Sequence, residues 1–391
     1  MEIELSIVIL SYNAPDFLHL CLDSVHRALV AIPSEIIVID NASTQAVDKM
    51  ITTHFPEVIF IQNKKNEGFA KANNKAVKKA TGKYICILNP DTVVGETTFI
   101  KCLQTAKKQA NLGALGVQLI DGSGVFLPES KRNEPTPLVS LSKFLGMWGS
   151  QKYPYYSKSI NKQDSGNVEV LVGAFMFLKR EVYTNANGFD PRFFMYGEDI
   201  DLSIRLKKDF KLNNFYLGNE KVIHFKGESG IKDKKYRKRF FEAMRIYYKK
   251  HYGNSWCLNF GVQIGTRLLS MIQSFKRQKP HTKAASYDHY YWISNNPQLQ
   301  HRLKDSTQKP VTGIKLSQLP LQLKTQNCKN NYPSKRCYIF DMESYNYEDV
   351  INFINKYPCK NKELNYSFRI RKSYKVIGSV SSSCLGETIY F

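Results

Sequence analysis

The stretch Tyr84-Ile85-Cys86-Ile87-Leu88-Asn89-Pro90-Asp91 carries the reading of the fold, because an unbroken apolar run ends there at a turn containing a carboxylate. Five apolar residues without polar alternation predict a strand. Just upstream, Asn66-Glu67-Gly68 opens a helix in which Phe69, Ala72, Ala76, Val77 and Ala80 recur at helical spacing, and Thr81-Gly82 stops it. Further out lie two more strands, Val58 to Gln62 and Glu35 to Ile39, the latter ending at Asp40-Asn41-Ala42-Ser43. The first strand, Leu5 to Leu10, breaks at Ser11-Tyr12-Asn13-Ala14-Pro15 and leads into a helix from about Asp16 to Leu29. This alternation predicts an α/β protein with a mixed, mostly parallel sheet and helices on both faces. Ligands bind such sheets beyond the carboxyl ends of the strands, where Asn13, Asp40 and Asp91 fall.

Downstream the pattern loosens. Residues 122–166 are rich in Gly, Pro, Ser and Tyr and predict long, mobile loops over the site. Val168 to Leu178 reads as a strand, Asn187-Gly188-Phe189-Asp190 as a turn, Gly197-Glu198-Asp199-Ile200-Asp201-Leu202 as the entry to a helix, and Val222-Ile223-His224-Phe225 as a last short strand. Lys232 to Lys250 predicts a basic amphipathic helix. Trp256 to Phe275 approaches the length of a membrane span but carries a central Arg267, which favours a helix lying on a membrane or packed on protein. The expected organisation is a catalytic domain over 1–230, a basic helical extension over 231–280, a linker over 281–335 and a small α/β module over 336–391.

Composition narrows the classes. The chain has 391 residues, 42% hydrophobic and 23% charged, as expected of globular domains. Its eight cysteines form no C-x-x-C pair, and the acidic start Met1-Glu2-Ile3-Glu4-Leu5 is unlike a secretion signal, so reduced thiols and a cytoplasmic location are expected. The net charge of +22 is uneven: residues 1–230 hold 27 Lys/Arg against 24 Asp/Glu, whereas 231–283 hold 14 against 2. A nucleic-acid partner would need basic surface over the strand-end site, which this distribution does not supply. The basic stretch with interleaved aromatics instead suits an anionic membrane surface, at about 1 kcal/mol per cation near it.

Each acidic position has an ordinary reading and a chemical one. Asp91 fits a turn, or a ligand for a divalent cation holding a diphosphate. Asp40 fits an Asx-turn, or an acceptor for a nucleobase or ribose. Glu198, Asp199 and Asp201 complement a helix N-terminus, or include a general base for a hydroxyl. His224 fits packing, or a metal or phosphate contact on the same rim.

Taken in order, Val8-Ile9-Leu10-Ser11-Tyr12-Asn13, Val38-Ile39-Asp40-Asn41-Ala42-Ser43, Asn66-Glu67-Gly68-Phe69-Ala70, Leu88-Asn89-Pro90-Asp91, Val172-Gly173-Ala174-Phe175, Gly188-Phe189-Asp190, Gly197 to Leu202 and His224 resemble the family 2 glycosyltransferases of the GT-A fold. The likeness is greatest to the rhamnosyltransferase-type branch of bacterial polysaccharide assembly and covers roughly residues 4–255. It implies an inverting transfer from a dTDP- or UDP-sugar, dTDP-rhamnose among them, to a hydroxyl of a saccharide acceptor, itself lipid-linked, at the inner face of the cell membrane. It further implies that Ser11, Asn13 and Asp40 line the nucleoside pocket, that Asn41, Gly68, Asn73 and Asn89 contact the donor, and that Asp199 is the base with Glu198 supporting it. Asp91 takes the last position of the family's D-x-D motif and binds Mg²⁺ or Mn²⁺ with His224 contributing, since Asn89 replaces the first acid. The rival architectures, a nucleotidyltransferase or a binding module without catalysis, call for a Gly-rich basic loop after the first strand or a broken Glu198-Asp199 pair. This chain has neither.

Overall fold

The computed structural model describes residues 2–144, 154–226, 234–253, 287–326, 335–359, 364–379 and 386–391. The expected segment Trp256 to Phe275 lies outside them. No helix among the described residues is long and apolar enough to cross a membrane.

The first part of the chain runs β1 (Leu5–Ser11), α1 (Pro15–Ala28), β2 (Ser34–Asp40), α2 (Val47–His54), β3 (Ile59–Gln62), α3 (Phe69–Val77), β4 (Tyr84–Leu88), β5 (Thr92–Val93), α4 (Thr98–Lys108), β6 (Leu112–Ile120), α5 (Pro137–Phe144), β7 (Gly166–Val168), β8 (Phe175–Lys179), α6 (Arg180–Asn185), α7 (Glu198–Lys208), β9 (Asn213–His224) and α8 (Lys234–Tyr252). Its strands form one sheet in the order β3-β2-β1-β4-β8-β6-β9-β5, with β7 also on β9. β3, β2, β1 and β4 are parallel to one another, and β6 is parallel to β9. β8 runs antiparallel to both β4 and β6, and β5 antiparallel to β9. The mixed, mostly parallel sheet expected of a GT-A fold is therefore present.

The period-2 geometry of a strand explains the two-sided burial. Along β1 and β4, Leu5, Ile7, Ile9, Cys86 and Leu88 enter one core with Leu18, Cys21, Leu22 and Val25 of α1. Val8, Leu10, Ile85 and Ile87 enter the opposite core with Ala70, Ala72 and Ala76 of α3 and Leu202 and Leu206 of α7.

The segment 281–335 departs from expectation. It carries β10 (His289–Ile293), α9 (Gln298–Thr307), β11 (Val311–Ile314) and α10 (Leu319–Gln326), which precede β12 (Arg336–Asp341), α11 (Tyr347–Lys356), β13 (Leu364–Arg369), β14 (Lys375–Gly378) and β15 (Glu387–Tyr390). These strands form a second sheet, β11-β10-β12-β13-β14-β15, whose first four are parallel. What reads as a linker is thus half of a doubly wound unit that includes the 336–391 module. Its Tyr338, Phe340, Tyr347, Val350, Ile354 and Phe368 share one core with Phe17 and Leu20 of α1, Val93 of β5, Ile223 of β9 and Phe225.

The second departure is the segment 122–166. The residues up to 136 are held in place: Ser123, Ser130, Lys131 and Arg132 are all buried. Arg132 exchanges backbone hydrogen bonds with Val170 at 3.0 and 3.1 Å. That anchorage carries its side chain into the site.

Candidate active site

The β5–β9 pairing places Thr92 opposite His224 in register, so a residue 135 positions downstream of Asn89 returns to the Asn89–Asp91 turn. His224 Nε2 stands 3.3 Å from Asp91 Oδ1 and 3.3 Å from Asn89 Nδ2. Asp91 is 1% exposed and its Oδ1 has no hydrogen-bond donor among the described residues; the His224 contact is at ion-pair range only. Burying a carboxylate without donors is costly unless a cation or proton compensates. Among the described residues no group of three or more His, Cys, Asp or Glu gathers around a metal position. The protein thus offers one orphaned carboxylate oxygen and one imidazole. That donor set fits a divalent cation that takes its remaining ligands from diphosphate oxygens and water, as Mg²⁺ does.

The second cluster is at the start of α7. Gly197, with φ of 86°, turns the chain into the helix. Asp199 Oδ2 accepts from Arg132 Nη2 at 2.7 Å and from the Gly173 N–H at 3.0 Å, and Oδ1 accepts from the Ile200 N–H at 2.8 Å. Asp199 in turn keeps the buried Arg132 guanidinium charged. Asp201 is fully buried and spends its charge on Arg205, Lys250 and His251, locking α8 onto α7. Glu198 is buried, and its Oε2 has no hydrogen-bond partner among the described residues. Burial, and then the Asp199 charge beside it, push its carboxyl up to about 8.

Two consecutive residues join the clusters. The Ala174 carbonyl accepts from the Asn89 N–H at 3.0 Å, while the Gly173 N–H donates to Asp199. Adjacent Cα atoms are about 3.8 Å apart, so the Asp91–His224 pair and Asp199 flank a single short stretch of backbone.

The remaining expected residues sit as follows. Ser11 is buried at the end of β1, its Oγ without a partner among the described residues. Asn13 has a φ of 54°; its N–H donates to Ser43 Oγ at 2.8 Å and its Oδ1 accepts from the Thr44 N–H at 2.8 Å. Asp40 accepts from the Ser43 N–H and hydroxyl, the Asx-turn reading of that position. Asn41 binds Asn63, Asn66 and the Glu67 N–H, tying β2 to the loop before α3. Asn73 is fully buried and donates to the Phe69 carbonyl at 3.0 Å.

For Gly68 the close approach is to protein. Its φ and ψ of 82° and 173° lie in a region open almost only to glycine, and a Cβ there would meet the Phe194 carbonyl oxygen at 2.5 Å. Gly68→Ala is therefore expected to destabilise the fold by about 2–4 kcal/mol. Urea unfolding measures this, and a variant with the native midpoint but weaker donor binding would return Gly68 to the donor. Arg132 is the residue that sequence reasoning missed. It sits in the aperiodic polar stretch Ser130-Lys131-Arg132-Asn133, which carries no sequence sign of burial.

Residues 6–185 match the family model described as glycosyl transferase family 2. The chain is 25% identical over 214 residues to the N-acetylglucosaminyl-diphospho-decaprenol L-rhamnosyltransferase of Mycobacterium tuberculosis, covering 51% of this chain and 69% of that one. It is 30% identical over 182 residues to rhamnosyltransferase WbbL of Escherichia coli, covering 44% and 66%. A solved mannosyltransferase of Pyrobaculum calidifontis in complex with GDP-Man and Mn²⁺ aligns over 72% of this chain and 77% of that chain, with a TM-score of 0.46 and 14% identity.

Proposed function

This chain belongs to the family 2 glycosyltransferases, of rhamnosyltransferase-like type, through residues 6–185, and from that premise we propose an inverting transfer of a sugar from a dTDP- or UDP-sugar to a hydroxyl of a lipid-linked saccharide. The observation that carries the reading is the pair of clusters joined by Gly173–Ala174. Single displacement needs a cation-binding end for the leaving diphosphate and a base for the incoming hydroxyl on the opposite side of the anomeric carbon. Asp91 and His224 would hold Mg²⁺ or Mn²⁺, which supplies charge stabilisation to the departing diphosphate. On the other side the acceptor oxygen bonds to the anomeric carbon, the bond from that carbon to the diphosphate oxygen breaks, and the hydroxyl proton passes to Asp199 Oδ1. Among the described residues that oxygen accepts only the Ile200 N–H, whereas Oδ2 already has two donors.

Ser11, Asn13, Asp40 and Asn41 cluster at the β1 and β2 ends and serve as the nucleoside side of the site. The Asn13, Asp40 and Asn41 side chains shape that edge through the bonds described above. The acceptor class follows the named substrate of the mycobacterial relative. A lipid-borne acceptor would bring the enzyme to the inner membrane surface, for which the 14 Lys/Arg of residues 231–283 provide the attraction.

The test is a donor screen with dTDP-, UDP- and GDP-sugars, each with and without Mg²⁺ or Mn²⁺, scored by nucleotide release. Productive pairs are then repeated with polyprenyl-diphosphate saccharide in anionic vesicles at low and high salt. We expect release from a dTDP- or UDP-sugar, metal stimulation, and turnover on vesicles that falls as salt rises. No release from any donor would end the reading, and salt-independent turnover would end its membrane part.

A further inference from the structure

The Glu198–Asp199 pair contains an asymmetry that the reaction above does not use. Asp199 takes three donors, the Arg132 guanidinium, the Gly173 N–H and the Ile200 N–H, whereas the Glu198 carboxyl is met by its own backbone N–H. Glu198 Oε2, buried beside Asp199, has no donor among the described residues. A buried carboxyl with one oxygen that no donor meets, next to a carboxylate fixed by an arginine, keeps its proton. A protonated carboxyl is a hydrogen-bond donor, the capability Asp199 lacks.

We propose that Glu198 works as a neutral carboxylic acid, donating a hydrogen bond to an oxygen of the acceptor beside the hydroxyl that Asp199 deprotonates. This rests on the glycosyl-transfer reading. Arg132 then pins the pair's single negative charge on Asp199, so that one neighbour takes a proton and the other presents one. No proton leaves Glu198 in the cycle; its role is to orient the acceptor oxygen.

The charges facing Glu198 favour this state. Asp199 and Asp201 on its own helix raise its proton affinity, and Arg132 from the 122–136 segment opposes them. Arg132 is already bonded to Asp199, while Lys250 and His251 of α8 are bonded to Asp201. The Tyr183 hydroxyl of α6, which donates to Asn74 Oδ1, lies within the field of the same group, and its own ionisation lies far above neutral pH because it is buried. The Glu198 carboxyl, displaced from the ordinary 4.5 to about 8, therefore loses its proton on the alkaline side of neutrality. The folded protein holds this proton more tightly than the unfolded chain. The resulting stabilisation is complete below pH 4.5 and is lost as pH rises through about 8.

The test uses the full chain with ¹³C-labelled glutamate, the Glu198 signal being the one absent from Glu198→Gln. We expect that signal to titrate near 8. Titration in the ordinary carboxylate range would overturn the proposal. This measurement needs no substrate, so it decides the protonation state whether or not a transferable donor is found.

Kinetics supply the second arm. Glu198→Ala should raise the acceptor KM about tenfold or more, and Glu198→Gln, which keeps a neutral donor, should recover most of that loss. Wild-type kcat/KM for acceptor should fall above about pH 8, and that fall should be missing in Glu198→Gln. A Gln variant as impaired as Ala, or one that keeps the alkaline fall, would overturn the proposal. Thermal melts separate packing from protonation: Glu198→Gln should gain Tm on the wild type as pH rises from 5 to 9, whereas a purely steric change would give a constant offset.

Discussion

Asp199→Asn is expected to lower turnover by about 10³-fold or more while leaving nucleotide affinity within about threefold of the wild type. Two separate losses contribute. The amide cannot take the acceptor proton, which removes general-base assistance of about 10²–10⁴-fold. It also disturbs a filled hydrogen-bond set. The two oxygens of Asp199 accept three donors between them, so an amide NH₂ must face either Arg132 and Gly173 or the Ile200 N–H. Either orientation sets donor against donor, and Arg132 is left as a buried charge without its counterion, at a cost of about 3–5 kcal/mol.

The two losses can be separated. Arg132→Met combined with Asp199→Asn should recover part of the stability that the single Asn variant loses, because the uncompensated charge is gone, yet recover none of the turnover. Steady-state kinetics with nucleotide titration and thermal melts measure both. An Asp199→Asn enzyme within tenfold of wild-type turnover would remove Asp199 from the role of base.

The parts of this site that were legible in sequence are those written locally. β4 begins and ends where the run Tyr84–Leu88 does, because an apolar stretch bounded by turn residues states its own limits. Asp40, Asp91 and Asp199 were visible for the same reason, each lying where a strand or helix begins or stops. The contacts between them were not. His224 reaches Asp91 through β5, a strand of two residues, Thr92–Val93, too short to leave a periodic trace.

Arg132 reaches Asp199 from a segment whose position is set by exchange with Val170, a pairing of non-neighbouring chain that no local pattern records. The second sheet was misread for a related reason. α9 has the sequence Gln298 to Thr307 with only Leu299 and Leu303 apolar, and of its residues only Leu303 is buried. A helix that buries so little looks like a linker until the strands on either side of it are seen to pair.

That second unit leads to the other large effect expected here. A chain ending at residue 253 should fail to stay soluble and folded, although it retains every residue assigned to the reaction. Phe17, Leu20, Val93, Ile120, Ile223 and Phe225 pack in one core with side chains of the second sheet and α11. Exposing them forfeits about 1.5–3 kcal/mol for each fully buried side chain, of the order of the 5–15 kcal/mol that holds a domain together.

Polar groups would be stranded as well. Asp23 binds Tyr347 Oη at 2.6 Å and Arg371 at 2.8 Å. Arg27 donates to the Met342 and Tyr345 carbonyls at 2.9 and 3.1 Å, and Glu96 accepts the Tyr347 and Glu348 N–H groups. The surface is shaped for this contact: a Cβ on Gly124, at φ of 84°, would meet the Ile354 carbonyl oxygen at 2.3 Å. Phe17, Leu20, Asp23 and Arg27 all belong to α1, which begins two residues after Asn13, so the second unit buttresses the helix that follows the nucleoside end of the site. Size-exclusion chromatography and limited proteolysis of the truncated chain, beside the full one, measure the effect. A monodisperse truncated protein melting within a few degrees of the full chain would make the second unit an accessory. Aggregation or loss of a cooperative melt would make it a structural part of the catalytic fold, through α1 and β5.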